Sequence, residues 1–332
     1  MATDLLPVRE ESAAEGDATY VTRTADAAAG PHTRRLPWPA TTVDPTLVRW
    51  RYAIGIPLVH VLACLAFFPY FFSWTGVALS IAGLYMFGTL GINLCYHRLL
   101  THQGLVAPKW LEHGLAVLGV CTLQDTPACW VAMHRIHHKH SDDRPDPHSP
   151  LVNFIWGHCG WLMFRNRDFL NVNYYQRFTR DLLRDPFYMT LERGANWLWI
   201  YLGSMAFFYL VGLAIGWPLW GLAAGMQFGL SLMVWGVFVR TVVTWHITWS
   251  INSVTHVWGY RNYETDDNSR NNILVGLWSN GEGWHNNHHA DQRAAAHGHK
   301  WWEFDVTWIT IRVLEKLGLV KDVVRPRAWS KG

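Results

Sequence analysis

Charge is what this chain has least of. Only 16% of its 332 residues are charged, where a soluble domain carries about 25%. Half are hydrophobic, with 21 Trp, 12 Tyr and 15 Phe, which argues against a soluble globule and for a chain that sits in a bilayer. A net charge of +3 without any run of Lys or Arg excludes the electrostatic footprint of a nucleic-acid binder. The cysteines, Cys64, Cys95, Cys121, Cys129 and Cys159, are odd in number and include no CxxC pair. They make neither a disulfide framework nor a zinc ribbon and read as reduced packing residues. Residues 1–30 hold early acids (Asp4, Glu10, Glu11) and no apolar stretch, so they are not a secretory signal. The Ala/Thr/Asp/Glu-rich segment 1–42 reads as a disordered tail.

What the chain does have is four apolar segments, at 52–72, 77–96, 196–216 and 219–243. Each has about the 20 residues that a helix needs to cross the hydrocarbon. They form two hairpins whose tips carry no charge. Of the 28 Lys and Arg, 6 precede the first segment, 11 lie between 97 and 195, and 10 follow 246, leaving only Arg240 at the end of the fourth. The excess of basic residues therefore puts both termini and the central region in the cytoplasm. The expected architecture is an all-α integral membrane protein with four transmembrane helices in two hairpins. Regions 97–195 and 246–325 form a cytoplasmic helical cap, 43–325 make one domain, and 326–332 are a short tail.

Histidine is concentrated on that same side. HRLLTH (His97 to His102) begins where the second segment ends, HRIHH (His134, His137, His138) lies in the central region, and HNNHH (His285, His288, His289) follows the fourth segment. Spacing of i, i+3, i+4 puts all three rings of the latter two on one helical face. Neutral imidazole is the commonest metal ligand, and such crowding is sensible around a cation. In HRLLTH the separation of five is about 140° on a straight α-helix, so the helix is expected to end or bend near Tyr96. His256, just beyond the fourth segment, is a ninth candidate. Eight or nine imidazoles exceed the shell of one ion, so two metals are implied, with Zn, Cu, Fe and Ni all suited to the ligand type. Soluble di-iron bundles use two ExxH motifs with further glutamates; only Glu282–His285 fits that pattern here, and the site is histidine-built. Asp142, Asp143 and Asp146 in SDDRPDPHSP can accept the outer N–H of ligand imidazoles. His140 and His148 are left outside the ligand set. A histidine-rich metal transporter is the remote alternative, but it would carry ligands near the bilayer midplane, where this chain has only His60.

HRLLTH, WVAMHRIHHKHSDDRPDPHSP, NSVTHVWG and GEGWHNNHHA, in this order after the expected spans, resemble the membrane fatty acyl desaturases of the Δ9 acyl-CoA and acyl-lipid type, over residues 50–320. The resemblance implies a nonhaem di-iron centre and O₂ as co-substrate. Its ligands would be His97, His102, His134, His137, His138, His256, His285, His288 and His289, with Asn252 holding a metal through water. It implies a cis double bond made in a long saturated acyl chain, most readily at Δ9. Two electrons would come from a separate donor, ferredoxin or a cytochrome b5-like protein with its reductase. Trp130, Gln124 and Thr248 match residues at the bend of the acyl tunnel, Tyr85 its closed end, and Arg165 a basic position that meets the polar head of the acyl carrier, with Arg167 two residues away. Thr89 stands where the family often has a smaller residue. A related membrane di-iron hydroxylase is the alternative within the same chemistry. The stretch KWWEFDVTWITIRVLEKLGLV suits a helix lying on the membrane or closing the metal site.

Overall fold

The structure is a computed structural model that describes residues 35–36, 43–167 and 172–331. The apolar segments become α1 (Trp50–Phe67) and α2 (Trp74–Thr101). The central region follows with α3 (Lys109–Val120), α4 (Pro127–His140), α5 (Phe154–His158), α6 (Val172–Leu183) and α7 (Pro186–Glu192). The second long pair is α8 (Asn196–Trp220) and α9 (Leu222–His256). Beyond it lie α10 (Ile273–Trp278), α11 (His285–Ala290) and α12 (Val306–Lys316). Among the described residues, the one departure from an all-α fold is a short antiparallel pair, β1 (Val43–Val48) with β2 (Phe164–Asn166).

The long helices are built as lipid demands, with backbone groups satisfied within each segment. Ser73 caps α2, its hydroxyl accepting from the Gly76 N–H at 2.9 Å. The expected break at Trp217–Pro218 does not occur. Helix α8 runs through Pro218 to Trp220, and the chain turns at Gly221, whose φ of 85° suits glycine. Two glycine pairs, each spaced by four residues, let α8 and α9 touch backbone to backbone. A Cβ at Gly212 would come 2.6 Å from Gly229 Cα, and one at Gly216 would come 2.7 Å from Gly225 Cα. Small residues at this spacing are how helices pack where no hydrophobic force separates them from lipid. Leu58, Val61, Phe207 and Leu210 stay exposed, as a lipid-facing surface requires.

The largest correction concerns α2. It does not end near Tyr96 but continues to Thr101, wound from Leu84 onward with i→i+5 hydrogen bonds; the last of them runs from His102 N–H to His97 O at 3.1 Å. In that wider winding the fifth residue along comes back to the same face, which an α-helix would not allow. The His97 and His102 rings therefore meet with centroids 4.8 Å apart.

Two apolar cores hold the cap to the spans. One joins α2, α3, α4, α7 and α12 through Leu94, Tyr96, Ala116, Val131, Tyr188 and Ile311; the other joins α1, α8 and α9 through Val59, Phe208, Val237 and Trp249. Residues 1–34 and 37–42 lie outside the described residues, but Leu36 is buried and its N–H bonds Leu151 O at 3.1 Å. Near the other end, the Arg327 N–H bonds Asp291 (2.8 Å) and Trp329 Nε1 bonds His299 O (3.2 Å).

Candidate metal centre

Helix α4 starts well, with the Thr126 hydroxyl accepting from the Cys129 N–H and Pro127 in the first turn. Its three box histidines do not aim at one point. His134 and His138 join His97, His102 and His288 in one group, whereas His137 joins His256, His285 and His289 in another. Within each group the available ligand atoms lie within 4.8 Å of one another. Helix α11 mirrors α4: its first and fifth positions, His285 and His289, serve the second group, and its fourth, His288, serves the first. The spacing predicts one face, and the structure divides that face between two centres.

Ring nitrogens within the groups are close. Nε2 of His288 lies 2.9 Å from that of His138 and 3.1 Å from that of His97; His134 and His138 are 3.0 Å apart, as are His256 and His285. Imidazoles bound at about 2.1 Å to one ion would hold neighbouring nitrogens about 3.0 Å apart at right angles and about 3.4 Å apart in a tetrahedron. Nε2 of His102 and of His289 are buried without a hydrogen-bond partner, a cost that a cation would remove. Burial holds His102, His134, His137, His138, His285 and His288 well below the ordinary histidine range, and neighbouring imidazoles push the same way. Neutral rings keep the lone pairs that metal binding needs. The donor set thus fits a pair of first-row transition ions and not an oxygen-loving cation.

Carboxylates hold the far nitrogens. His256 Nδ1 is 2.8 Å from Asp142, His137 Nδ1 is 3.0 Å from Asp146, His97 Nδ1 is 2.6 Å from Glu282, and His289 Nδ1 is 2.5 Å from Asp267. Each contact fixes the tautomer that leaves Nε2 free to ligate. Burial works against the charged forms of Asp142 and Asp267, but the His256 and His289 rings beside them hold both below the usual carboxylate range. For Glu282 burial is likewise opposed, chiefly by Arg98. Asp146, fully enclosed, is pushed upward by burial.

Asp143, grouped with Asp142 and Asp146 from the sequence, is exposed. A φ of 59° at Asp142 turns the chain there, so adjacent aspartates point different ways. Sequence reasoning missed Asp267, which sits far along the chain in YETDDNS, and left Glu282 without a role. It also missed His297, buried with its ring 4.3 Å from that of His288 and its Nδ1 3.0 Å from Glu282. His148, set aside beforehand, is buried with its ring 4.4 Å from that of His137; burial and the His137 ring push it down to about 3.

A cleft of about 660 Å³ reaches this centre. Its walls include Tyr52 and Ile56 of α1, Gln124, Asp125, Trp130, His134, His148, Trp161, and Trp245, Thr248, Trp249 and Asn252 of α9. A second cavity, about 280 Å³, is lined by Leu84, Gly88, Thr89, Thr244, Thr248 and Asn280. Thr248 belongs to both. It accepts from Gln124 Nε2 at 3.1 Å, and Gln124 Oε1 in turn accepts from Trp130 Nε1 at 3.4 Å. Asn252 lies in the wall one turn before His256. Tyr85, expected at the closed end, lines neither of these two cavities; it is partly exposed with its hydroxyl 2.8 Å from Thr310 of α12. Arg165 is exposed on β2 opposite Asp44, and Arg167 reaches Asp44 at 3.4 Å.

A four-span bundle with a histidine-built, carboxylate-braced metal centre at the head of an apolar cleft defines an integral membrane oxidoreductase acting on lipid chains. The fatty acid desaturase family profile matches residues 72–305. The chain is 40% identical over 278 residues to an sn-2 palmitoyl-lipid 9-desaturase of Nostoc sp. (strain 36), covering 83% of this chain and 90% of that one. It is 41% identical over 284 residues to an sn-1 stearoyl-lipid 9-desaturase of Anabaena variabilis, covering 86% and 96%. With an icosanoyl-CoA 5-desaturase of Limnanthes douglasii it shares 38% over 280 residues, covering 84% and 73%. The chain belongs to the fatty acid desaturases: it is an enzyme that desaturates fatty acyl groups in the membrane.

Proposed function

We propose that this protein is an oxygen-dependent Δ9 desaturase of saturated long-chain acyl groups carried on membrane lipids, working with two irons. The reading rests on one observation above all: nine histidines sort into two groups, and one of them, His134, lies in the wall of the cleft beside the Trp130–Gln124–Thr248 chain. The two relatives named above with acyl-lipid substrates both carry 9-desaturase names, which supports the position and the carrier.

His97, His102, His134, His138 and His288 would hold one iron, and His137, His256, His285 and His289 the other, with Asn252 through water. When bound, the iron pair with O₂ and two external electrons would supply the oxidising power to take two hydrogens from adjacent methylenes, giving a cis alkene and, with two protons, two waters. The chain's own residues do the positioning. The apolar walls exclude water and bury the acyl chain. Thr248, shared by both cavities, sits where that chain must turn, and Gln124 and Trp130 pin the turn beside His134. Thr89, buried with its hydroxyl 2.7 Å from Asn280 Nδ2, limits how far the methyl end can go. Carboxylates of Asp142, Asp146, Asp267 and Glu282 hold protons at Nδ1 of their histidines. Residues 43–325 act as one desaturase unit. Both termini and the metal centre face the cytoplasm, where ferredoxin or a cytochrome b5-like donor, with its reductase, can reach them.

The test is expression in a bacterium that lacks oxygen-dependent desaturases, together with ferredoxin and its reductase, and His138→Ala in parallel. Derivatisation and mass spectrometry of the total fatty acids should reveal a new Δ9 cis alkene, dependent on oxygen and absent from the variant. A hydroxylated chain would move the assignment to the hydroxylase, and a double bond elsewhere would overturn the Δ9 position.

A further inference from the structure

A second set of histidines lies outside the metal centre. His60 is on α1, His158 ends α5 and His246 is on α9. Nε2 of His60 faces Nε2 of His246 at 3.1 Å, and Nδ1 of His246 faces Nε2 of His158 at 3.1 Å. The row is closed at each end: His60 Nδ1 lies 2.7 Å from Ile56 O, and His158 Nδ1 lies 2.9 Å from the Ser253 hydroxyl. That hydroxyl is also 2.8 Å from Trp249 O. These rings do not form a site for one shared ion, because His246 meets its two neighbours with opposite nitrogens. The Ser253 O–H donates to Trp249 O, so its oxygen faces His158 Nδ1 as an acceptor, and single N–H···N bonds join His158 to His246 and His246 to His60. Every ring nitrogen has a polar partner within 3.1 Å.

The row's place in the fold suggests its purpose. Ile56 and Trp249, at its two ends, both line the cleft. The rings of Trp245 and Trp249, also in the cleft wall, pack on His60 with centroids at 5.8 and 6.5 Å. On the outer side, Ile54, Leu58 and Val61 of α1 are exposed where lipid would lie. Histidine in the middle of an apolar span is costly unless its nitrogens find partners, and here the partners are supplied across the seam between helices. We propose that His60, His246 and His158 are a latch holding α1, α9 and α5 together over the bilayer-facing side of the acyl cleft, and that this latch sets how fast acyl chains exchange between the cleft and the membrane. The inference rests on the cleft being the acyl site.

Full-length protein in detergent, without electron donor, would be given phosphatidylcholine carrying a nitroxide-labelled stearoyl chain. Electron paramagnetic resonance would follow loss of the immobilised signal during a chase with unlabelled lipid. His246→Phe, which keeps the ring volume but removes both ring–ring bonds, should speed exchange by at least about fivefold, the rate equivalent of one net hydrogen bond, with metal per chain unchanged. His60→Leu, which breaks only the His60–His246 contact, should speed exchange no more than His246→Phe does, and the double variant should be no faster than His246→Phe alone, because that variant already breaks this contact. His246→Gln, which keeps a hydrogen-bonding group, should restore much of the wild-type rate. Exchange within about twofold of wild type in both single variants, or effects that multiply in the double variant, would overturn the latch while leaving the acyl site standing. Failure of the wild-type protein to immobilise the probe at all would overturn both.

Discussion

Arg98→Met is expected to destabilise the protein by about 3–5 kcal/mol. The Arg98 guanidinium is wholly buried between two carboxylates. It donates to Glu282 through Nε (3.0 Å) and Nη2 (2.8 Å), to Asp305 through Nη1 and Nη2 (3.0 Å each), and to Ala295 O (2.7 Å). Glu282 braces His97 of the metal centre. Asp305 caps α12 through the Trp308 N–H at 2.8 Å and accepts from the His297 N–H at 2.8 Å. Removing the arginine leaves two enclosed carboxylates without their cation, and their protonation would free His97 to rotate. Arg98→Lys keeps the charge but offers no fork to span both acids, so it should fall between wild type and Met. Thermal unfolding in detergent, with metal counted per chain, checks both points; equal stability of Met and wild type would remove the network from any role in holding the centre.

The second large effect is His288→Ala, which should abolish desaturation and lower bound metal, because this one ring stands within 3.1 Å of two others in its group. The informative comparison is Asp267→Asn. Here the proposed ligand His289 remains and only its brace is altered, so metal affinity should fall by about 10–100-fold while the fold persists. Metal titration followed by elemental analysis separates the two. Retention of full metal by His288→Ala would break the proposed grouping of ligands.

Much of this arrangement could be read from the chain. Four uncharged runs of membrane length have few alternatives, and three dense histidine boxes placed beyond them point to a metal at one membrane face. The residues that escaped did so for identifiable reasons. Local spacing says which rings share a face of α4 or α11, but the division of that face between two groups depends on the angle at which other helices arrive. Asp142 and Asp146 were within reach because they follow HRIHH closely; Asp267 is brought to His289 only by the fold, and His297 stands at no recognisable interval from its neighbours. The i→i+5 winding of α2 leaves no mark in composition, so the five-residue step from His97 to His102 looked like a helix end.

The crossed assignment of the box histidines has a further consequence. Because α4 and α11 each contribute to both groups, no segment owns either position. With an ion in each group, seating the first would order helices that also carry the rings of the second, and drawing one out would loosen the other. Occupancy of such a pair would be a collective property of the cap: a cell short of metal would hold some molecules complete and others empty, and few half-filled ones able to meet oxygen with a single ion.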